Sequence, residues 1–205
     1  MNTKRLPSST AKFLASSVAL ALAVQLSADT ASARGSVRKF DRKVVEVAAG
    51  KVYRGIQPGD EEDYEHLRKL GIRTQLNLRK YLWWQERSQH RKAEAHGFLY
   101  RHAGMPTLWN RPKDREVDEA LRELNDPSLQ PIYVYCRLGK DRTGFIIALY
   151  RVLDQQWTPC AAWKEWKSFG YLAWNVGLKE YFEKRLRKET QIADFDPNFK
   201  VGRCK

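Results

Sequence analysis

Short apolar runs alternate with longer runs of helical spacing from about residue 50 to the end of the chain. Runs rich in β-branched and aromatic side chains predict strands, and runs whose apolar residues recur every three or four positions predict helices. The predicted strands lie near Lys51–Tyr53, Ile72–Leu78, Phe98–His102 and Ile132–Tyr135. The predicted helices are Glu61–Leu70, Trp83–Ala95, Asp114–Leu124, Phe145–Leu153, Thr158–Phe169 and Val176–Arg187.

The beginning of the chain has the pattern of a secretory signal peptide. Basic residues precede an apolar run over Phe13–Leu26, and Ala31-Ser32-Ala33 then supplies the small-x-small pattern of a cleavage site before Arg34. We therefore expect residues 1–33 to be a signal peptide and the protein to be exported, to the periplasm if the source is a Gram-negative bacterium. An uncleaved membrane anchor is the alternative.

The remaining residues, 34–205, are enough for a single hydrophobic core. A hydrophobic content of 42% argues against disorder. Strands that alternate with helices predict an α/β domain with a central, largely parallel sheet flanked by helices. We therefore expect one domain after the signal peptide.

The segment from Tyr133 to Gly144 predicts a phosphate-binding loop between a strand and a helix. Backbone N–H groups in such a turn point inward at a helix N-terminus, where the helix dipole also favours an anion. Cys136 opens the loop, and Arg142 and Thr143 close it. The positive environment favours a nucleophilic thiolate at Cys136, and the planar guanidinium of Arg142 suits two phosphoryl oxygens. The predicted phosphate-binding residues are Arg137, Leu138, Gly139, Lys140, Asp141 and Arg142.

This pattern, Cys-x5-Arg-Thr-Gly after a hydrophobic strand, resembles the signature of the cysteine-dependent protein tyrosine and dual-specificity phosphatase superfamily. The loop Gly139–Gly144 resembles the bacterial and atypical dual-specificity branches, some of which hydrolyse phosphoinositides. Upstream, the segments Val52–Pro58, Leu67–Ile72 and Leu76–Arg79 are similar to the entry segment of those enzymes. The resemblance implies a metal-independent phosphatase that attacks phosphorus with Cys136 and forms a phosphocysteine. Thr143 would donate a hydrogen bond to the departing sulfur.

One position departs from the family pattern. The family usually places a histidine before the nucleophile, where it helps to stabilise the thiolate, and here that residue is Tyr135. Activation of Cys136 would then depend more on the loop amides, Arg142 and the helix dipole. A catalytically silent phosphate-binding module at anionic membranes is the alternative.

Two aspartates compete for the role of the acid that protonates the leaving oxygen. The family commonly supplies this acid from a loop before the helix that precedes the signature strand, and Asp114 fits that place. Asp114 also stands where a helix N-cap belongs. Asp141 is the rival, because some phosphoinositide-hydrolysing relatives carry a proposed acid inside the loop.

The three cysteines raise the question of pairing in an exported chain. If Cys136 stays reduced as the nucleophile, Cys160 and Cys204 remain to form a disulfide that ties the C-terminal tail to a helix. A small buried Cys160 is the alternative.

The charge of the chain indicates anionic partners. The formal net charge is +13, and Arg137 and Lys140 add to the positive charge of Arg142 unless they simply solvate a surface loop. Seven tryptophans, among them Trp83 and Trp84, together with this charge make an anionic membrane surface a possible partner. We expect no cofactor, no metal and no nucleic-acid partner.

These observations predict an exported phosphomonoesterase that acts on a lipid-linked or polyanionic phosphate. A phosphotyrosine or dual-specificity protein phosphatase is the alternative substrate class.

Overall fold

The computed structural model describes Phe40 and residues 43–188, 196 and 198–204. The predicted signal peptide, residues 1–33, lies outside the described residues, so its prediction stays untested. Within the described part of the chain, no helix is both long and apolar enough to cross a membrane.

Five strands form one sheet in the order β1-β2-β5-β3-β4. β1 is antiparallel to β2, whereas the β2–β5, β5–β3 and β3–β4 pairs are parallel. The predicted largely parallel α/β sheet is therefore confirmed. The strands are β1 Val45–Ala48, β2 Val52–Ile56, β3 Thr74–Arg79, β4 Leu99–Met105 and β5 Ile132–Cys136.

Six α-helices follow or precede these strands in the described residues. Their positions agree with the predicted helices to within a few residues. They are α1 Glu61–Lys69, α2 Trp83–Ala95, α3 Asp114–Asn125, α4 Arg142–Leu153, α5 Pro159–Ser168 and α6 Val176–Lys188, and a short 3-10 helix spans Val201–Arg203.

Helices cover both faces of the sheet, and the central strand β5 contributes side chains to the core on each face. Ile132, Val134 and Cys136 belong to the core that includes residues of α3, α4, α5 and α6. Tyr133 and Tyr135 point to the other face, toward buried residues of α1 and α2. Side chains alternate between the two faces of a strand, so a run without polar residues fills both cores. The burial of all five β5 residues follows from this central place.

Two details correct the sequence prediction. β1 was missed because its four residues follow a basic segment, and only pairing with β2 makes them a strand. The N-cap of α3 is Lys113 and not Asp114, which is the first helical residue. The Lys113 N–H donates to Glu116 Oε2 at 3.0 Å, so the side chain three residues on satisfies the cap.

The C-terminal tail is covalently attached to α5. Cys160, in the first turn of α5, forms a disulfide with Cys204, and Cys136 is the free cysteine of the described residues. The predicted pairing is confirmed.

Candidate active site

The phosphate loop connects the end of β5 to the start of α4, as expected for a strand-to-helix turn. Cys136 is the last residue of β5 and Arg142 is the first of α4. In the described residues, no protein oxygen accepts a hydrogen bond from the backbone N–H groups of 137–143. The next two N–H groups donate normally, Gly144 to Lys140 O and Phe145 to Asp141 O. The loop therefore offers consecutive free N–H donors at a helix N-terminus, which is the arrangement that binds a phosphate.

Gly139 is required at its position by conformation and by space. Its φ is +67°, in the left-handed region that side chains with a Cβ rarely adopt. A Cβ there would also collide with the backbone of Gly55 in β2. The loop consequently lies tightly against the end of the neighbouring strand.

Cys136 and Arg142 occupy the two ends of this loop. Cys136 is buried at the end of the central strand. Arg142 Nη1 donates to Met105 O at 3.4 Å, whereas its Nε is buried without a protein partner. Burial lowers the pKa of Arg142, and negative charge on Cys136 acts in the opposite direction. The free Nε is thus a donor available to a bound phosphoryl group.

Arg54 of β2 lies beneath the loop, and sequence reasoning did not identify it. It is fully buried, its Nη2 donates to Gly139 O at 2.9 Å, and the Phe169 ring covers its guanidinium with 3.6 Å from Cζ to the ring centroid. Its Nη1 has no protein partner. Burial lowers the pKa of Arg54 to about 10, and the charges of Glu165 and Cys136 oppose this shift. Arg54 is therefore a buried cation that supports both the loop backbone and a thiolate.

The signal for Arg54 is present in the sequence but is weak. An arginine in the middle of a short apolar strand, between Tyr53 and Gly55, is unusual for a buried position. Only the parallel pairing of β2 with β5 brings it to the loop.

Asp141 is held inside the loop by a contact from the chain after α5. Its Oδ1 accepts a hydrogen bond from the Leu172 N–H at 2.9 Å, and the residue is nearly buried. The bond fixes the carboxylate next to Arg142.

Asp114 faces a different part of the molecule. Its Oδ1 accepts a hydrogen bond from Tyr181 Oη at 2.7 Å, and this bond lowers the pKa of Asp114. Asp114 and Tyr181 also line a pocket of about 230 Å³ with Lys184, Arg185 and Lys188 of α6. A carboxyl group with a lowered pKa is deprotonated at neutral pH and is a poor proton donor.

Comparisons with known proteins agree with this geometry. A family model described as "Tyrosine phosphatase family" matches residues 40–200. The chain is 29% identical over 155 residues to OCA1, a tyrosine-protein phosphatase candidate of Mycosarcoma maydis, covering 73% of this chain and 89% of that protein. The chain belongs to the tyrosine phosphatase family.

Two further matches agree with membership of this family and with the phosphatase fold. The dual specificity protein phosphatase TpbA of Pseudomonas aeruginosa is 35% identical over 68 residues, a stretch of 33% of this chain and 31% of TpbA. The catalytic domain of the PP-IP phosphatase SIW14 of S. cerevisiae superposes with a TM-score of 0.58 at 22% identity, over 75% of this chain and 95% of that domain. The protein is thus a cysteine-dependent phosphatase of the tyrosine and dual-specificity type.

Tyr135 stands at the position before the nucleophile, where the family usually has a histidine, and the structure shows what it contacts. Tyr135 is buried and stacks on Tyr133, with 5.6 Å between ring centroids. It lies on the sheet face opposite Cys136, in the core formed with α1 and α2. Tyr135 is therefore a packing residue in this chain.

The other predicted loop residues differ in how deeply they are buried. Thr143 is fully buried, and its Oγ1 has no protein partner. Arg137 and Leu138 are exposed, whereas Lys140 is half-buried with its side chain next to Gly170. Thr143 is buried in the first turn of α4, whereas Arg137 and Leu138 face outward.

Proposed function

We propose that this chain is an exported phosphomonoesterase that forms a phosphocysteine and acts on a lipid-linked or polyanionic phosphate. Surplus positive charge around the loop carries the proposal. In the part of the chain that the structure describes, Arg79, Lys80, Arg137, Lys140 and Arg142 have no carboxylate within salt-bridge distance. Such unneutralised charge favours a substrate with several anionic groups.

The geometry supports a two-step reaction. Cys136 Sγ attacks phosphorus, the S–P bond forms, and the bond between phosphorus and the ester oxygen breaks. Asp141 gives its proton to that oxygen, while Arg142 and the loop amides hold the three other phosphoryl oxygens. Water then attacks phosphorus, Asp141 takes one water proton, the S–P bond breaks, and inorganic phosphate and the Cys136 thiolate are released.

The names of the relatives support two substrate classes. SIW14 is called a PP-IP phosphatase, whereas TpbA is called a dual specificity protein phosphatase. The charge around the loop favours the first class, phosphates that carry further anionic groups. Phosphotyrosine in proteins is the second candidate.

A substrate panel tests the proposal. Phosphate release would be measured with para-nitrophenyl phosphate, a phosphotyrosyl peptide, inositol phosphates and a phosphorylated lipid in micelles. We expect kcat/KM to be at least about tenfold higher for a polyanionic substrate than for the peptide. A preference for the peptide would instead establish the protein phosphatase.

Two sets of variants complete this test. Cys136→Ser should lower turnover at least about 10³-fold, and acid-quenched mass spectrometry of the wild type should find phosphate on Cys136. Arg137→Gln with Lys140→Gln should lower kcat/KM for the polyanion more than for para-nitrophenyl phosphate. The matched control is Arg91→Gln with Lys92→Gln, two exposed residues of α2. If the wild type showed no turnover over a broad pH range, the chain would instead be the catalytically silent phosphate-binding module.

The export part of the proposal has its own test. Expression in a Gram-negative host should give a periplasmic protein whose N-terminus is Arg34. An intact N-terminus in the membrane fraction would support the anchor, and a cytosolic protein would contradict export.

A further inference from the structure

Large hydrophobic side chains are exposed in a restricted part of the molecule. Of nine such residues in the described chain, Leu99 and Trp157 lie elsewhere, and the other seven follow β3, β4 or β5 or precede α6. Trp83 is 71% exposed and Trp109 is 73% exposed. We call these seven residues the rim: Leu82, Trp83, Trp84, Leu108, Trp109, Leu138 and Trp174.

The segments that carry the rim are joined to the active site and to one another. β4 ends at Met105, whose carbonyl accepts from Arg142. The Leu172 N–H donates to Asp141, which anchors the segment of Trp174. The Leu108 N–H donates to Asn175 Oδ1 at 2.7 Å, which joins the segments of Trp109 and Trp174.

The third segment reaches the site through Arg79 and Tyr81. The Arg79 guanidinium lies over the Tyr81 ring at 4.4 Å, and the positive charge of Arg79 adds to the effect of burial in lowering the pKa of Arg142. Trp83 and Trp84 follow directly and contact each other edge to face at 5.7 Å. Leu138 belongs to the phosphate loop itself.

The rim segments are basic as well as aromatic. Across residues 79–84, 105–113, 136–142 and 169–176 there are seven lysines or arginines, of which Arg111 pairs with Glu180, and one acidic residue, Asp141. Tryptophan side chains favour the interface between lipid headgroups and acyl chains, and nearby basic residues add attraction to anionic lipid. The combination suits an anionic bilayer better than an apolar protein groove, which would leave the charges unpaired.

We propose that the rim is the surface with which this phosphatase docks on an anionic bilayer, so that Cys136 faces lipid headgroups. Four indole rings enter the interface, and Lys80, Lys113 and Arg137 contact anionic headgroups. The proposal rests on the proposed function in one respect, that the phosphate brought to Cys136 by docking is lipid-linked. Docking itself requires no turnover.

Tryptophan fluorescence offers a direct test in the full chain. Vesicles of phosphatidylcholine with brominated acyl chains, with and without phosphatidylglycerol, quench only those tryptophans that enter the bilayer. Trp83 is the first tryptophan of the sequence, so binding through residues 1–39 adds no signal of its own. We expect strong quenching with anionic vesicles and weak quenching with phosphatidylcholine alone.

Three variants locate the contact. The combined change of Trp83, Trp84 and Trp174 to serine should reduce the quenched fraction at least about twofold. Trp157→Ser, which removes an exposed tryptophan outside the rim, should retain it. Lys80→Gln with Lys113→Gln leaves every tryptophan in place and should weaken binding to anionic vesicles at least about tenfold, given the attraction of each basic residue to such a surface.

The outcomes separate docking from catalysis. Cys136→Ser should be quenched like the wild type, and a failure of the substrate panel would leave quenching unchanged. Wild-type protein that anionic vesicles do not quench would overturn the proposal. Equal quenching by both vesicle types, or quenching unaffected by both the tryptophan and the lysine variants, would also overturn it.

Discussion

The phosphate loop and the loop between β4 and α3 lie at the same edge of the sheet but are held in different ways. The backbone turn of the phosphate loop is closed by its own residues, through the N–H groups of Gly144 and Phe145, and Arg54 and Leu172 add one hydrogen bond each from outside. The second loop, residues 106–113, is held by α6 and the segment before it, through Asn175 and Gly177. A site formed by neighbouring residues can be predicted from a motif, whereas a site formed by distant segments cannot.

The two candidate acids illustrate this difference. Asp141 is placed by the loop that also carries Arg142, and Leu172 only fixes its orientation. Asp114 is placed by α3 against Tyr181, which lies about five residues into α6, roughly 8 Å along the helix from its start. We therefore propose Asp141 as the acid, and the first of the following predictions tests that choice.

The largest expected effect is that of Asp141→Asn. Loss of a general acid should lower kcat by about 10² to 10⁴-fold on substrates with poor leaving groups and much less on para-nitrophenyl phosphate. Asparagine keeps an oxygen that can accept from the Leu172 N–H, so the loop should stay in place. Asp114→Asn is the matched variant and should retain turnover. A pH–rate profile that loses its basic limb in Asp114→Asn instead would assign the acid to the other loop.

Arg54→Gln should have the next largest effect. Without the buried cation, the loop loses its support at Gly139 O, and a thiolate at Cys136 is less favoured. We expect kcat/KM to fall about 10²-fold and alkylation of Cys136 by iodoacetamide at neutral pH to slow. Arg54→Lys should restore part of the alkylation rate because it restores charge. An unchanged alkylation rate in both variants would show that Arg54 contributes packing and does not stabilise the Cys136 thiolate.

Tyr135→His should affect stability more than activity. The smaller, polar ring leaves space in a closely packed core, so the free energy of unfolding should fall by about 2 to 3 kcal/mol in denaturant titrations. Turnover should change less than about threefold, because residue 135 faces the side of the sheet opposite Cys136. A tenfold rise in turnover would show that the missing histidine limits this enzyme.

Tyr181→Phe should have the smallest effect. The hydrogen bond from Tyr181 stabilises the ionised form of Asp114 and lowers its pKa, so its contribution to stability is present above the carboxyl's unfolded pKa. It is lost as the pH falls through the lower, folded pKa. The variant should lose about 0.5 kcal/mol or less at neutral pH, since Asp114 is exposed to solvent, and nothing in strong acid. A rise in kcat would indicate that Asp114 is released to the active site.

The sequence by itself determined the elements, the loop and the nucleophile of this protein. Periodicity located the six helices, and the Cys136–Gly144 motif contains in nine residues both the nucleophile and the groups that bind phosphate. These predictions succeed because hydrogen bonds along a helix, and between a loop and the first turn of its helix, join residues close in sequence. β1 escaped prediction because it has only four residues and is stabilised by contacts with β2 and with distant Arg151 of α4.

Only the tertiary structure decided how distant segments meet at that loop. The parallel pairing of β2 with β5 places Arg54 under Gly139, and the α3–α6 contact turns Asp114 toward Tyr181. Hydrogen bonds also join the segments that carry Trp109 and Trp174 to each other and to the phosphate loop. Each of these arrangements depends on contacts between residues dozens of positions apart, and packing of the whole sheet and its helices determines them.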